Sequence, residues 1–288
     1  MLDLIILGAG PAGLSAAVYA LRANITPKII GLNRSALEDA MEIENYFGFS
    51  NVIRGSELLK FGKEQVLRLG GEITAEEIVG VSWNGHFTVV TDKYEYESEA
   101  VIFTLGSARK NVEIDGIKRF KNNGVSFCAV CDSFFYKNKT VGVLGSGEYA
   151  LHEAKTLLNV TKKIFIMTNG ENPMTDFSGM EIIKEPIAAL LGEEKLSGAL
   201  LKNGKRIDFD GLFIGLGTAS SDNLASSLGI ITEKGKIMVD SNMKTNLAGC
   251  FAAGDCVPGV MQVSVAVAEG CKAALSAVEF LKIKGSEN

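Results

Sequence analysis

Two cysteines two residues apart, Cys128-Ala129-Val130-Cys131, followed at once by Asp132, are the part of this 288-residue chain best suited to chemistry. A C-x-x-C spacing lets the two sulfurs close a small disulphide ring, and a helix starting nearby would lower the pKa of one thiol. The attacking species in disulphide exchange is the thiolate, so the adjoining carboxyl of Asp132 is placed to shuttle the proton. Half of a zinc site is the competing use of such a pair. No second C-x-x-C exists, however, and the two histidines, His86 and His152, lie far off in sequence. Five cysteines without further clustering also argue against an iron–sulfur cluster, so no metal is expected. Cys250, Cys256 and Cys271 stand among apolar or small residues and read as buried packing thiols. This odd, scattered count is not the framework of a secreted domain, and the apolar Leu2 to Leu7 run has no basic leader or cleavage site. The expected location is the cytoplasm.

Without a metal, the electron carrier must be an organic cofactor, and the N-terminus offers a place for one. The Leu2 to Leu7 run leads into Gly8-Ala9-Gly10-Pro11-Ala12-Gly13 and then into Leu14 to Arg22 with helical spacing. In such a strand, turn and helix the glycines permit a tight turn and a close approach of backbone to pyrophosphate. The phosphates then sit at the helix N-terminus, where free N–H groups and the macrodipole favour negative charge. Pro27 to Leu32 reads as the next strand, with no acidic residue after Ile30 until Glu38 to hold a ribose. Far along the chain, Cys250-Phe251-Ala252-Ala253-Gly254-Asp255 is an apolar strand ending in a carboxylate that can face a sugar-alcohol chain. Met261-Gln262-Val263 then opens the last helix, whose amides can face the N1/O2 edge of a flavin and stabilise negative charge there. A segment so distant that completes the same domain suits FAD and not NAD. The candidate cofactor residues are therefore Gly8, Gly10, Pro11, Ala12, Gly13, Gly254, Asp255, Gln262 and Val263.

The pattern restarts in mid-chain. Thr140 to Leu144 precedes Gly145-Ser146-Gly147-Glu148-Tyr149-Ala150, a helix-like stretch to Leu158, a strand at Lys163 to Met167 and another at Gly211 to Leu216. Before it come an amphipathic stretch from Gly55 to Leu69 and strand-like runs at Glu77 to Trp83, Phe87 to Thr91, Tyr94 to Tyr96 and Val101 to Leu105, ending at Gly106. The expected architecture is α/β: two Rossmann-like, three-layer ββα dinucleotide-binding-type domains, the second inserted in the first. Residues 1–112 and 239–288 form the FAD-binding domain, and residues 113–238 the insertion carrying the C-x-x-C. A chain of 288 residues, 47% hydrophobic and 22% charged, with 32 glycines and 5 prolines, suits two compact α/β domains. A net charge of −5 offers no attraction for nucleic acid or anionic lipid. No apolar run is long enough to cross a bilayer, so neither nucleic acid nor membrane is expected as a partner.

In combination these stretches resemble the low-molecular-weight thioredoxin reductase family. The resemblance rests on the Gly8 to Gly13 turn, Glu44-Asn45-Tyr46-Phe47-Gly48-Phe49, the segment Cys128 to Tyr136 (CAVCDSFFY), Gly145 to Ala150, and Phe251 to Gln262, in family order over nearly the whole chain. It implies a homodimeric FAD-dependent disulphide reductase with thioredoxin as partner. It also implies that Cys131 faces the flavin C4a, Cys128 attacks the substrate disulphide and Asp132 is the acid. Asn45 and Gln262 would touch the flavin, and Asp255 the ribityl chain. Gly106 joins the cofactor set and, with the segment near Asp240, is a hinge candidate for the domain rotation that such enzymes use.

The chain departs from its NADPH-dependent relatives after the second glycine turn, where they carry a basic cluster for the 2′-phosphate. Here Met167-Thr168-Asn169-Gly170-Glu171-Asn172 contains no arginine, and Glu148 puts a carboxylate near the expected pyrophosphate position. The chain is thus most similar to the ferredoxin-dependent flavin thioredoxin reductases. That resemblance implies reduced ferredoxin as donor, passing two electrons in succession through FAD to Cys128–Cys131 and on to thioredoxin. Two alternatives stay open: NADH or NADPH used through an unorthodox site, and a non-enzymatic flavin redox sensor. Lys60, Lys63 and Arg68 form only a modest basic face, read as solvated helix surface.

Overall fold

The structure, a computed structural model, describes all residues except 33, 34, 107–112, 122, 128, 159 and 288. Strand β1 (Leu2–Leu7) has its last four side chains fully buried, as a central parallel strand covered on both faces requires. After it come α1 (Pro11–Arg22), β2 (Lys28–Ile30), α2 (Gly55–Arg68) and β3 (Glu72–Thr74), with β1, β2 and β3 parallel. β4 (Ile78–Trp83), β5 (Phe87–Thr91) and β6 (Glu95–Phe103) form an antiparallel meander, and β6 returns parallel to β1 with Leu7 opposite Phe103. The runs at Tyr94 to Tyr96 and Val101 to Leu105 are thus parts of one strand. Its middle, Ser98, is fully buried with the hydroxyl donating to the Ala100 carbonyl at 3.0 Å, so a polar residue interrupts the apolar pattern without interrupting the strand.

The chain continues through α3 (Ile117–Phe120), β7 (Val125–Ser126), α4 (Ala129–Asp132), β8 (Thr140–Leu144), α5 (Glu148–Leu158), β9 (Lys163–Met167) and β10 (Glu181–Ile183). β11 (Ile187–Gly192), β12 (Leu196–Leu201), β13 (Arg206–Asp208) and β14 (Gly211–Ile214) complete this part. A parallel sheet runs in the order β10-β9-β8-β14-β7, and β11-β12-β13 form a separate antiparallel sheet. The second sheet carries no alternating signal in sequence, because β11 shifts register twice along its pairing with β12.

The last segment holds α6 (Ser221–Ser227), β15 (Thr232–Glu233), β16 (Lys236–Ile237), β17 (Cys250–Ala252) and α7 (Val263–Glu287). The chain forms two compact units, one of Met1–Ala108 with Ser220–Asn288 and the other of Arg109–Ala219. The stretch 220–238, read from sequence as part of the insertion, therefore packs in the first unit. Ser227 Oγ donates to the Val81 carbonyl at 3.3 Å, and the Ile237 amide donates to Cys256 at 2.8 Å. Asp240 is likewise interior to that unit and not at a crossing: its Oδ1 accepts from the Asn242 and Lys244 amides. The other crossing falls among residues outside the described set. The polar C-terminal tail is helical as far as Glu287, beyond the Leu281 end that apolar spacing marks. Among the described residues, no helix is long and apolar enough to cross a membrane.

Helices α1 and α7 approach so closely because their facing residues are small. Ala12, Ala16, Ala17 and Ala20 on one side and Ala266, Ala273, Ala274 and Ala277 on the other are buried in one core. Ser15 Oγ fixes the pair by donating to the Val267 carbonyl at 2.7 Å. A Cβ at Gly270 would stand 2.1 Å from the Ala12 carbonyl oxygen. An alanine within a helix ordinarily stabilises by about 1 kcal/mol over glycine. Gly270→Ala is expected to do the reverse, lowering unfolding stability by about 1–3 kcal/mol in a denaturant titration, because backbone must move to admit the methyl group.

Candidate active site

The first glycine turn lies at the carboxyl ends of three adjacent parallel strands. Leu7 of β1 is opposite Phe103 of β6, which is opposite Ala252 of β17. Gly8, Thr104 and Ala253 therefore stand side by side, where open α/β sheets bind their ligands. Thr104 stitches them together, its Oγ1 donating to the Leu7 and Gly8 carbonyls at 2.9 and 3.0 Å, while the Ala253 amide donates to the Phe103 carbonyl at 2.9 Å. Gly8 has φ +120, and a Cβ at Gly13 would sit 1.9 Å from the Gly8 carbonyl oxygen, so both positions need glycine. Gly10 is the N-cap of α1, no side chain among the described residues caps that end, and no acidic residue occupies its first turn. Pro11, at the start of the helix, has no N–H to lose.

The other flavin candidates converge from distant sequence. Gly254 (φ +80) donates its amide to Glu269 Oε2 at 2.8 Å, which fixes the turn leading to Asp255. Lys236 Nζ donates to the Asp255 carbonyl. Asn45 Nδ2 donates to Gln262 Oε1 at 3.0 Å across 217 positions of sequence, directly before Val263 opens α7. Gly106 (φ +75) accepts from Ser221 Oγ at 3.0 Å. An uncapped helix start, a cradle that a Cβ would fill, and one carboxylate beside them fit a dinucleotide with a flavin end.

The second glycine turn has the same frame but different contents. Gly145 (φ +155) would place a Cβ 2.1 Å from the Gly215 carbonyl oxygen, so the strand–turn–helix geometry is retained. Ser146, nearly fully buried, donates its hydroxyl to Glu171 Oε2 at 2.6 Å. The Met174 amide donates to the Ser146 carbonyl at 2.7 Å, and the Met174 methyl stands where a Cβ on Gly147 would touch it, at 3.4 Å. The turn after β9 is held in place by Asn169 (φ +51), whose Oδ1 accepts from the Ile187 amide, and by the Gly170 amide donating to Lys184. Glu148 occupies the first turn of α5. Two carboxylates of the chain itself thus stand at the N-terminal end of α5, where a pyrophosphate would compete with them. Glu148 was legible in sequence; that Glu171 folds back onto the turn was not.

Cys128 lies outside the described residues, and Cys131 belongs to α4 by its backbone, its side chain being outside them as well. Asp132 is half-buried and close enough to raise the Tyr136 pKa, after the larger effect of burial. Tyr136 stacks edge-on to Phe213 at 5.1 Å and fills the space above Gly211, where a Cβ would fall 2.2 Å from its ring. Phe134 and Phe135 are exposed. Sequence reasoning missed two residues on the inward face of α5. Tyr149 Oη donates to the Phe127 carbonyl at 3.4 Å, and Glu153 Oε2 accepts from the Ala129 amide at 2.7 Å. One turn of helix thus holds the backbone on both sides of Cys128. The available signal was a charged residue on the buried Ala150-Ala154-Leu157 face.

Of the other cysteines, Cys250 and Cys256 are buried, and burial pushes both thiols up to about 12, which leaves them unreactive. Cys271 is only half-buried, contrary to the sequence reading, because it lies on the flank of α7 and not on its small-residue face. Lys60 of the modest basic face is paired with Glu64 at 3.8 Å. Among the described residues, no cluster of metal-ligating side chains occurs.

A protein-family model described as pyridine nucleotide-disulphide oxidoreductase matches residues 2–270. The chain belongs to that family and, within it, to the thioredoxin reductases, which are FAD-dependent disulphide oxidoreductases. It is 33% identical to thioredoxin reductase of Spironucleus barkhanus, over 98% of this chain and 99% of that one. It is 34% identical to the Helicobacter pylori enzyme over the same shares. Among solved structures, the atypical thioredoxin reductase TRi from Desulfovibrio vulgaris Hildenborough is similar at TM-score 0.94 and 37% identity, covering 98% of both chains. A ferredoxin-flavin thioredoxin reductase from Clostridium acetobutylicum is similar at TM-score 0.75 and 33% identity, again covering 98% of both. Membership in a family of enzymes sets aside the non-enzymatic sensor.

Burial pushes the Glu153 carboxyl up to about 7, against a smaller lowering by the Ala129 amide. A glutamate in an unfolded chain titrates near ~4.3. The folded state binds this proton more tightly, so the stability that neutral Glu153 contributes is complete below the unfolded pKa and is lost as pH rises through 7. Relative to Glu153→Gln, the native inserted unit is expected to lose up to about 3 kcal/mol between about pH 5 and 8. Urea midpoints measured across that range check it, and parallel curves for the two proteins would contradict it.

Proposed function

We propose that this enzyme is a ferredoxin-fed flavin thioredoxin reductase, a homodimer in which Cys128 and Cys131 carry electrons from FAD to thioredoxin. The observation that carries the donor assignment is the Glu171–Ser146 contact at 2.6 Å, with Glu148 beside it in the first turn of α5. It favours a one-electron protein donor over a nicotinamide, because two of the chain's own carboxylates belong to the N-terminal end of the second dinucleotide frame, where a pyrophosphate would meet them. That one relative in structure is a ferredoxin-flavin thioredoxin reductase supports the same reading.

FAD, when bound, supplies a centre that accepts electrons singly and releases them in pairs. Gly8, Gly10, Pro11, Ala12 and Gly13 would hold its pyrophosphate against the uncapped start of α1, with Asp255 at the ribityl chain. Asn45, Gly106, Gly254, Gln262 and Val263 would line the flavin end. In the dithiol form, Cys128 attacks the partner disulphide as thiolate, forming a mixed disulphide and expelling one partner sulfur, which Asp132 protonates. Cys131 then attacks Cys128, closing the Cys128–Cys131 bond and releasing the second partner sulfur.

Anaerobic mixing tests the donor. Reduced ferredoxin should bleach the flavin band, while NADPH and NADH at micromolar levels should leave it unchanged over seconds; fast bleaching by either nucleotide overturns the assignment. Cys128→Ser should retain the flavin spectrum and lose thioredoxin turnover by at least about a hundredfold, since the attacking thiolate is gone.

A further inference from the structure

We infer that Glu153 is the buried proton carrier of the disulphide centre, positioning the backbone next to Cys128 and taking up a proton when the Cys128–Cys131 bond opens. The inference rests on that pair being the working one. Three observations meet at this side chain. Glu153 is almost fully buried on the inward face of α5, in the core of Ala129, Ala150, Ala154, Leu157 and Phe213. Its carboxylate receives the Ala129 amide at 2.7 Å, directly after Cys128, while Tyr149 one turn earlier holds the Phe127 carbonyl. Burial also brings its titration to about 7, in the range where thiol–disulphide exchange operates.

The ionisable groups around it leave the role to Glu153. Its own helix carries Glu148, Tyr149, His152 and Lys155; α4 brings Cys131 and Asp132, and the turn after α4 brings Tyr136. β9 brings Lys163, paired with Glu181 at 2.7 Å, and the stretch containing Phe177 brings Asp176, while β8 and β14 bring none. None of these ionisable groups is among the causes of the Glu153 shift, which are burial and the Ala129 amide.

The reaction balances as follows. Opening the disulphide takes two electrons from the enzyme's reductase activity and breaks the S–S bond. One sulfur takes a proton as thiol, the other remains thiolate, and Glu153 takes a second proton. The centre holds one negative charge before, on Glu153, and one after, on sulfur. Keeping a single charge in a low-dielectric region avoids the repulsion of two like charges. Closure of the disulphide returns the proton.

The test equilibrates the holoenzyme's Cys128–Cys131 couple with dithiothreitol buffers and counts alkylated thiols by mass, a readout independent of turnover. The pH dependence of the midpoint gives protons taken up per disulphide. Between about pH 7 and 8 the native enzyme should take up from about half a proton to nearly one proton more than Glu153→Gln, which keeps an acceptor for the Ala129 amide but cannot titrate. Equal proton counts in the two proteins overturn the inference. If Glu153→Gln does not fold, native enzyme labelled with carboxyl-13C glutamate decides: reduction near pH 7.5 should produce the infrared band of a protonated glutamic acid, and its absence overturns the inference. Cys128→Ser separates the two readings. If its two-electron couple survives, the working-pair assignment fails and takes the proton carrier with it; if the couple vanishes while Glu153→Gln matches the native proton count, the proton carrier alone fails.

Discussion

The first amides of an α-helix have no partners within the helix, and in this protein two helices that follow glycine turns meet that deficit in opposite ways. At α1 no side chain among the described residues answers it: the N-cap is Gly10, and the first turn holds no acid. At α5 two carboxylates of the chain stand at that end, Glu148 in the first turn and Glu171 accepting from the Ser146 hydroxyl of the turn. Each end attracts one set of negative charges, and phosphate oxygens and carboxylates compete for the same place. The same strand–turn–helix unit can therefore bind a dinucleotide or close upon itself. Which of the two it does depends on a few side chains beyond the glycines.

An open helix end is useful only if the backbone around it is held still. The first unit achieves this by contacts too close for side chains. Gly13 lies against the Gly8 carbonyl, Gly270 brings α7 onto Ala12, and a Cβ on Gly254 would crowd the Ala12 methyl at 2.9 Å. Thr104 ties the ends of β1 and β6 through its hydroxyl, and Glu269 ties the turn before Asp255. Because α7 and β17 come from the far end of the chain, the flavin unit is complete only when the C-terminal segment returns. Residues such as Asn45 and Gln262 meet only then.

Much of this was legible in sequence where residue type alone forces geometry. The Gly8 to Gly13 turn, the strand before it and the Ala-Gly-Asp end of β17 declare themselves, since few other folds require that spacing. What remained hidden depended on tertiary contact. Nothing in Met167 to Asn172 announces that Glu171 turns back onto Ser146, because the turn is set by Asn169 and Gly170 bonding to Ile187 and Lys184, residues of a part that sequence periodicity left unassigned. The unit boundary was misplaced for a similar reason. Residues 220–238 carry short, weak elements whose allegiance is decided by single contacts such as Ser227 to Val81.

Glu153 shows the same limit from the other side. A buried carboxyl whose one partner among the described residues is a backbone amide is a poor scaffold element, since burial opposes its charge and makes stability fall as pH rises through 7. If holding the Ala129 amide were its whole purpose, a neutral side-chain oxygen would do so without that dependence. A titratable group becomes advantageous where the charge beside it changes, and the charge on a cysteine pair changes each time the disulphide opens and closes. Two of the chain's own acids stand at the N-terminal end of α5, and its inward face meets the backbone of the segment that carries the cysteine pair. The helix thus makes use of its flank as well as its N-terminus, with Tyr149 and Glu153 holding the Phe127 carbonyl and the Ala129 amide.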